Sequence, residues 1–178
     1  MIIIPANTLS TGAYEVEMDT SKRKDEKWYI NTDITYAFGS GKVTGSYGDA
    51  TAKKHADTKW TQKEIDDGNA PSGADTNTVK VEGLKTTLIK TIKNQAAGIL
   101  ADTDWYIVRK ADAGTAVPSS ITNHRAAVRT KAAEMETSIT NASDTPALET
   151  LYTFVNTADE GDPVVMERPL GELPRLES

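Results

Sequence analysis

The chain is short of several residue types and sequence features, and some of these shortages exclude a class of protein. It contains no cysteine, which excludes a disulfide framework, a thiolate nucleophile and a cysteine metal site. Only 6% of its residues are aromatic, and histidine occurs twice. No apolar run approaches the roughly 20 residues of a membrane span, and the N-terminus lacks the basic-then-apolar order of a signal peptide. These shortages predict no membrane span and permit synthesis in the cytoplasm.

The balance of charge excludes a further class. Lys and Arg sum to 20 and Asp and Glu to 26, which gives a net charge of −6. A general nucleic-acid binder needs a basic face, and this chain has no excess of positive charge to form one. Its 178 residues are enough for one ordinary domain or for two small ones.

The first third of the chain has the period-two pattern of β-strands. Gly39-Ser40-Gly41 predicts a turn, after which residues 42–47 can return as a partner strand. We expect one face of these strands to be buried, and we expect the β module to end near residue 77. A short apolar run lies at residues 1–4, and the alternating positions are Tyr14, Val16, Met18, Trp28, Ile30, Thr32, Ile34, Tyr36 and Phe38.

Beyond this module the apolar residues recur at helical spacing. A stripe from Leu84 to Leu100 predicts an amphipathic helix, and Asp102-Thr103-Asp104 is expected to end it or to cap the next one. Asp144-Thr145-Pro146 predicts the start of a last helix. The central helix has a stripe close to a heptad seam, formed by Ile121, Arg125, Val128, Ala132, Met135 and Ile139.

Together these patterns predict an α+β fold in three parts. An N-terminal antiparallel β module at residues 1–77 is followed by an antiparallel helical hairpin or small bundle at residues 78–157. Residues 158–178, with three prolines and no helical stripe, are predicted to form an extended acidic tail. Because such a tail is ordered only where something holds it, we expect it to pack on another chain; packing back on its own domain is the alternative.

No motif assembles a catalytic, cofactor or metal site. His55 and His124 are far apart in sequence, and neither belongs to a ligand pair. Asp102 and Asp104 could hold Mg²⁺ beside a phosphate, but their place between two helical stripes favours a helix cap. The Gly39-Ser-Gly-Lys42 segment lacks the spacing of a phosphate-binding loop. We therefore predict no enzyme activity, no cofactor and no metal; an undetected hydrolase or metal-dependent site is the alternative.

A few side chains are candidates for contacts with other proteins. Arg125 interrupts an apolar stripe, where an arginine is costly unless it is paired or caps a carbonyl. We expect it either to extend past the apolar seam towards solvent or to pair with Asp102 or Asp104, and a partner-binding role is the alternative. Trp105 is predicted to pack against the helical hairpin, while Trp60 either lies under a loop or anchors an interface. The candidate interaction residues are Trp60, Trp105, Arg125, Arg129, Arg168, Leu170 and Leu173.

One stretch of the chain resembles a module that is common in tailed bacteriophages. In that module a helix ending in leucine is followed by a (D/S)DW turn, a spacer with proline and the pattern YR-x-x-(L/V)R. The matching segments here are Gly98-Ile-Leu-Ala-Asp-Thr-Asp-Trp-Tyr-Ile-Val-Arg-Lys110 and Gly114-Thr-Ala-Val-Pro-Ser-Ser-Ile-Thr-Asn-His-Arg-Ala-Ala-Val-Arg129. Asp104-Trp105 match the turn, and Arg125 and Arg129 match the two arginines, with His124 where the family often has tyrosine.

The module occurs in phage tail and tail-fibre assembly proteins and in small virion proteins of marine and cyanobacterial phages. The run from residue 79 to residue 152, together with Arg168-Pro-Leu-Gly-Glu172, looks like the marine-phage variant. The resemblance covers about half of the chain and leaves the β module unmatched. The Trp-Pro ending of the chaperone-like members is absent, which favours a virion protein over a chaperone.

The resemblance implies a non-enzymatic structural protein of the phage tail, at the baseplate, neck or a fibre. Such a protein is made in the cytoplasm of the host bacterium and resides in the virion. Its implied partners are other tail or fibre proteins and further copies of itself, as a homo-oligomer or a ring or fibre subunit, with no nucleic acid and no membrane. The alternatives are a tail or tail-fibre assembly chaperone that is absent from the mature particle, and a capsid decoration protein.

Overall fold

The computed structural model describes residues 14–176, and the chain divides into two compact units, Met1–Lys53 and Lys54–Ser178. Within the described residues the fold is mixed α/β, with small sheets and five helices, and it is compatible with the predicted α+β class. The strand candidate at residues 1–4 lies outside the described part of the chain.

The first unit is built from short strands. A two-residue turn joins β3 (Ile34–Gly39) to β4 (Lys42–Tyr47), and its residues Ser40 and Gly41 have φ angles of 53° and 77°. Positive φ at both positions matches the right-handed twist of the flanking strands, so the predicted hairpin is confirmed. The strands are β1 (Val16–Asp19), β2 (Tyr29–Ile30), β3 (Ile34–Gly39), β4 (Lys42–Tyr47) and β5 (Thr51–Ala52).

The strand pairing differs from the expected antiparallel module. β3 and β4 are antiparallel, but β1 joins the other edge of β4 in parallel, which gives a three-stranded mixed sheet in the order β1-β4-β3. β2 and β5 form a separate antiparallel pair. An alternating pattern specifies which side chains share a face but not the direction of the neighbouring strand, which is why the prediction was wrong for β1.

The predicted burial of one strand face is also wrong. The alternating stretch is broken between β2 and β3, and Ile30, Tyr36 and Phe38 are 59%, 54% and 63% exposed. Trp28 is buried as its place in the alternating set predicts, and its neighbour Tyr29, which lies outside that set, is buried as well. Tyr29 belongs to the β2–β5 pair, where it lies opposite Ala52.

The second unit contains all five helices described. Two long helices, α2 (Leu84–Ala101) and α4 (Ser119–Asn141), run antiparallel. The ammonium of Lys85 donates a hydrogen bond to the carbonyl of Thr140 at 2.8 Å, and Arg125 donates to the carbonyl of Leu100 at the opposite end of the pair. The elements are β6 (Thr58–Lys59), α1 (Gln62–Asp66), β7 (Val79–Val81), α2 (Leu84–Ala101), α3 (Asp104–Ala113), α4 (Ser119–Asn141), α5 (Thr145–Tyr152), β8 (Val155–Asn156) and β9 (Met166–Glu167).

The predicted apolar stripes of α2 and α4 face the core, as expected. All six residues of the α4 stripe are buried, and Leu88, Ile92 and Ala96 of α2 are buried as well. Asp144 caps α5, since its carboxylate accepts a hydrogen bond from the Ala147 backbone N–H at 2.8 Å. The core of the second unit therefore follows from helical periodicity.

The chain divides before residue 54, whereas the sequence placed the boundary near residue 77. Residues 54–59 belong with the start of α2: the Lys54 carbonyl accepts from the Leu84 N–H, and the Asp57 carboxylate accepts from the Gly83 N–H at 2.7 Å. A Cβ on Gly83 would lie 2.4 Å from the backbone of Ala56, so only glycine allows this approach. These contacts join distant segments and leave no local sequence pattern.

None of the helices in the described residues is both long and apolar enough to cross a membrane.

Candidate interaction surfaces

The turn between α2 and α3 is held by Arg125. Its guanidinium donates hydrogen bonds to the Leu100 carbonyl and to the Thr103 hydroxyl, both at 2.7 Å, and it forms an ion pair with Asp104 at 2.8 Å. Arg125 is 7% exposed and Thr103 is 2% exposed. Asp104 is thus one of the two expected partners, and the arginine also caps the last turn of α2. We call this group the Arg125 clasp.

The helix that follows the clasp presents an uncovered apolar surface. α3 has no buried residue, and four consecutive apolar residues surround its first turns. Consecutive residues of a helix point in different directions, so this turn of α3 is apolar on every side. A helix surface of that kind is normally buried. We call these residues the α3 apolar surface; they are Trp105, Tyr106, Ile107 and Val108, of which Trp105, Ile107 and Val108 are 50%, 44% and 65% exposed.

Trp105 was expected to pack against the helical hairpin, and its side chain is 50% exposed. Its indole lies against the ring of Tyr106, with 3.7 Å between the ring centroids, and the guanidinium of Arg109 lies 4.7 Å from the indole centroid. These contacts come from within α3, so they orient the indole without covering it. The hydrophobic pattern showed that Trp105 is on a helix but could not show that this helix lacks a cover.

The C-terminal segment returns to its own unit. Leu170 is 2% exposed, and its backbone N–H donates to the carbonyl of Leu151 in α5 at 3.0 Å. The guanidinium of Arg168 stacks over Tyr152 at 5.6 Å and donates to the Gly171 carbonyl at 2.9 Å. The stretch around Leu170 thus packs on its own domain, which is the alternative to the expected contact with another chain, while residues 159–167 are exposed.

A groove of about 730 Å³ lies between this segment, α2 and α4. Two of the predicted interaction residues, Arg168 and Leu173, line it together with Ile99 and His124. Sequence reasoning missed the other lining residues from the tail, Glu172, Arg175 and Leu176, because nothing in their spacing indicated a fold-back. Arg129, by contrast, is exposed on α4 and is not among the residues of the groove.

Trp60 is half-buried beside the β6–β7 pair. The Lys80 ammonium lies 4.7 Å from its ring centroid and also forms an ion pair with Glu64. Glu64 belongs to a capping box with Thr61 at the start of α1. The hydrogen bond from Lys80, and then those from the backbone and hydroxyl of Thr61, lower the pKa of Glu64 from 4.5 to about 2.

The lowered pKa of Glu64 predicts that part of the stability of the fold depends on pH, and substitution of Glu64 should remove that part. A carboxyl with a folded-state pKa below its unfolded value stabilises the fold above the unfolded pKa, and the contribution is lost as the pH falls through the folded pKa. For Glu64 that window runs from 4.5 down to about 2. We expect Glu64→Gln to melt below the wild type at pH 6, and the two melting temperatures to converge towards pH 2. Circular dichroism melts across this range measure the effect.

Glu160→Gln, in an exposed loop, is the control for this series. Its melting curve should follow the wild type at every pH. A Glu64→Gln variant that also follows the wild type from pH 6 to pH 2 would show that the Lys80 and Thr61 hydrogen bonds do not stabilise the folded chain.

The three-stranded sheet of the first unit has one apolar face and one polar face. Paired residues share a face, so Val16, Val43 and Phe38 form one row, and Met18, Gly45 and Tyr36 form the next. The polar face carries the ion pair between Glu17 and Lys42. We call the other side the apolar sheet face; it consists of Tyr14, Val16, Met18, Ile34, Tyr36, Phe38, Val43 and Tyr47.

Among residues 14–176 no three histidine or acidic side chains lie together in a way that could hold a metal ion. Comparison of the chain with protein-family models, with curated proteins and with solved structures finds no match in any of the three.

Proposed function

We propose that this chain is a non-enzymatic structural subunit of a tailed-bacteriophage virion, located in the tail at the baseplate, neck or a fibre. It acts through protein–protein contacts. Its architecture of a β module, an antiparallel helical hairpin and a tail folded onto that hairpin suits a subunit that docks on neighbours. The observation that carries the proposal is the α3 apolar surface, which lies within the segment that resembles the phage module.

The physical case begins with the exposure of α3. Soluble monomers rarely expose contiguous apolar surface without a function for it, and Trp and Tyr beside Arg are the residues enriched where proteins bind proteins. Trp105 and Tyr106 of the α3 apolar surface lie beside Arg109, about one turn of helix further on. A partner that covered this turn would remove three half-exposed apolar side chains from water.

Mass spectrometry of purified phage particles, with the copy number measured against the major capsid protein, tests the proposed function. A fixed, low copy number that is a multiple of three or six and far below that of the major capsid protein supports a structural subunit of a ring or fibre. Absence from mature particles with abundance in the infected-cell lysate would overturn it in favour of an assembly chaperone. A copy number that follows the capsid lattice would indicate a decoration protein instead.

The contribution of α3 is testable by substitution. We expect the double variant Trp105→Ser/Val108→Ser to fold as the wild type does, because α3 buries no residue. Its incorporation into particles should fall by about tenfold or more, since the loss of a central aromatic anchor typically weakens an interface by that factor. Quantitative mass spectrometry of particles grown with each variant measures this.

Asp112→Ser, at an exposed position two turns further along α3, is the matched control and should be incorporated normally. Normal incorporation of the double variant would show that α3 is not the docking element.

A further inference from the structure

Among the described residues of the first unit, most of the exposed large apolar side chains lie on the apolar sheet face. Tyr14, Val16, Tyr36 and Phe38 are 51%, 49%, 54% and 63% exposed, and Met18 is 40% exposed. The ring of Tyr14 lies edge-on against that of Phe38, with 4.6 Å between their centroids. These side chains come from β1, the residue range just before it and β3, and Val43 of the middle strand β4 lies between them, so together they form one continuous surface.

The centre of this face is filled by its own side chains. A Cβ on Gly45 would lie 2.7 Å from the sulfur of Met18, 2.9 Å from the ring of Tyr36 and 3.2 Å from a methyl of Ile34. The absence of a side chain at Gly45 thus lets three neighbours lie flat across the middle strand. The face is closed and shallow, with no cleft at its centre that would fit a small ligand.

We infer that this face is an interface between two copies of the chain, packed sheet on sheet. A sheet with one apolar face is ordinarily covered by a second sheet or by helices, and sheets that pack face to face lie about 10 Å apart. Here the cover would be the same face of a second copy, related by a twofold axis. The inference does not depend on which larger assembly the chain enters.

The distribution of charge favours a second copy as the occupant. The chain carries a net charge of −6, so two copies repel one another at long range. Every member of the apolar sheet face is uncharged, and the alternate positions Glu15, Glu17 and Asp19 lie on the opposite side of the sheet. Two such faces can meet without bringing like charges together, and no charged group on the face selects a charged partner.

The area is sufficient for a specific dimer. An aromatic side chain buries about 150–250 Å² when it is covered, so the three half-exposed rings with Val16 and Met18 would lose on the order of 500 Å² per copy. The total of about 1,000 Å² is where specific interfaces begin. We therefore expect a dimer that forms at micromolar concentration and dissociates on dilution.

Sedimentation velocity of the full chain from about 1 to 200 µM tests the inference. We expect the wild type to shift from monomer to dimer in this range. Tyr36→Ser/Phe38→Ser should raise the dissociation constant at least about tenfold, and thermal melts check that it folds. Ala37→Ser lies between the two positions on the polar face, so it should dimerise as the wild type does. A monomeric wild type, or a double variant that still dimerises, would overturn the inference.

The absence of cysteine allows a second measurement. Val16→Cys on the apolar sheet face should form covalent dimers with a short bismaleimide, whereas Glu17→Cys on the opposite face should not. Equal cross-linking of the two variants would overturn the inference. Deletion of residues 1–13 gives a further test. A full-length chain that stays monomeric while the shortened chain dimerises would also overturn the inference, because the occupant of the face would then belong to the same chain.

Discussion

Replacing Arg125 by leucine should lower the free energy of unfolding of the second unit by about 2–3 kcal/mol. Leucine suits the apolar stripe of α4, but it leaves the Leu100 carbonyl, the Thr103 hydroxyl and the Asp104 carboxylate without their shared donor. This expected loss of stability is smaller than the loss that breaking a fully buried ion pair can cause, for two reasons. Asp104 is largely exposed and can be rehydrated, and the Thr103 hydroxyl still donates to the Leu100 carbonyl at 3.0 Å.

Urea denaturation followed by circular dichroism measures this loss. Arg129→Leu, one turn further along α4 and exposed, is the matched control and should change stability by less than about 0.5 kcal/mol. Arg125→Lys should lie between the two, because it keeps the charge but loses the planar fork. An Arg125→Leu variant as stable as the wild type would show that the clasp is dispensable.

Leu170→Ala should destabilise the packing of the C-terminal segment by about 2–4 kcal/mol, the usual range for a fully buried leucine. The segment is peripheral, so the loss should appear first as local opening. The backbone amide of residue 170 donates a hydrogen bond to the Leu151 carbonyl, so its hydrogen exchange reports this opening. A loss of about 2–4 kcal/mol corresponds to a rise in the exchange rate by a factor of about 30 to 1,000.

Hydrogen exchange read by mass spectrometry or NMR tests this prediction. Val164→Ala, in the exposed stretch before β9, is the control and should leave the exchange rate unchanged. If Leu170→Ala also left it unchanged, the segment would be held by something other than its own unit, as the expected contact of the tail with another chain required.

The elements that could be predicted from sequence are those fixed by local periodicity. The α4 stripe was predicted residue by residue, because one helix packing along its length on another imposes its spacing on the sequence directly. The β3–β4 turn followed from Gly39-Ser40-Gly41, and the α5 cap from Asp144. In each case the determining groups lie within a few residues of one another.

The rest depends on contacts that local patterns do not contain. Alternation correctly grouped Tyr36 with Phe38 on one face, but it could not tell a face buried in the chain from one that lacks a cover. The boundary between the units depends on Gly83 approaching Ala56, and the fold-back of the tail depends on Leu170 reaching α5. Of the candidate site, the partner of Arg125 was predicted, while the exposure of Trp105 was not.

The Arg125 clasp has a consequence for the kinetics of association. A helix with no buried residue would ordinarily fray, and a partner would have to order it during binding, at a cost in conformational entropy. Here a buried guanidinium on α4 fixes the first turn of α3 when the second unit folds. The α3 apolar surface is thereby preorganised, so binding of the proposed partner requires orientation but little further ordering, and we expect its association to be fast for a contact of this size.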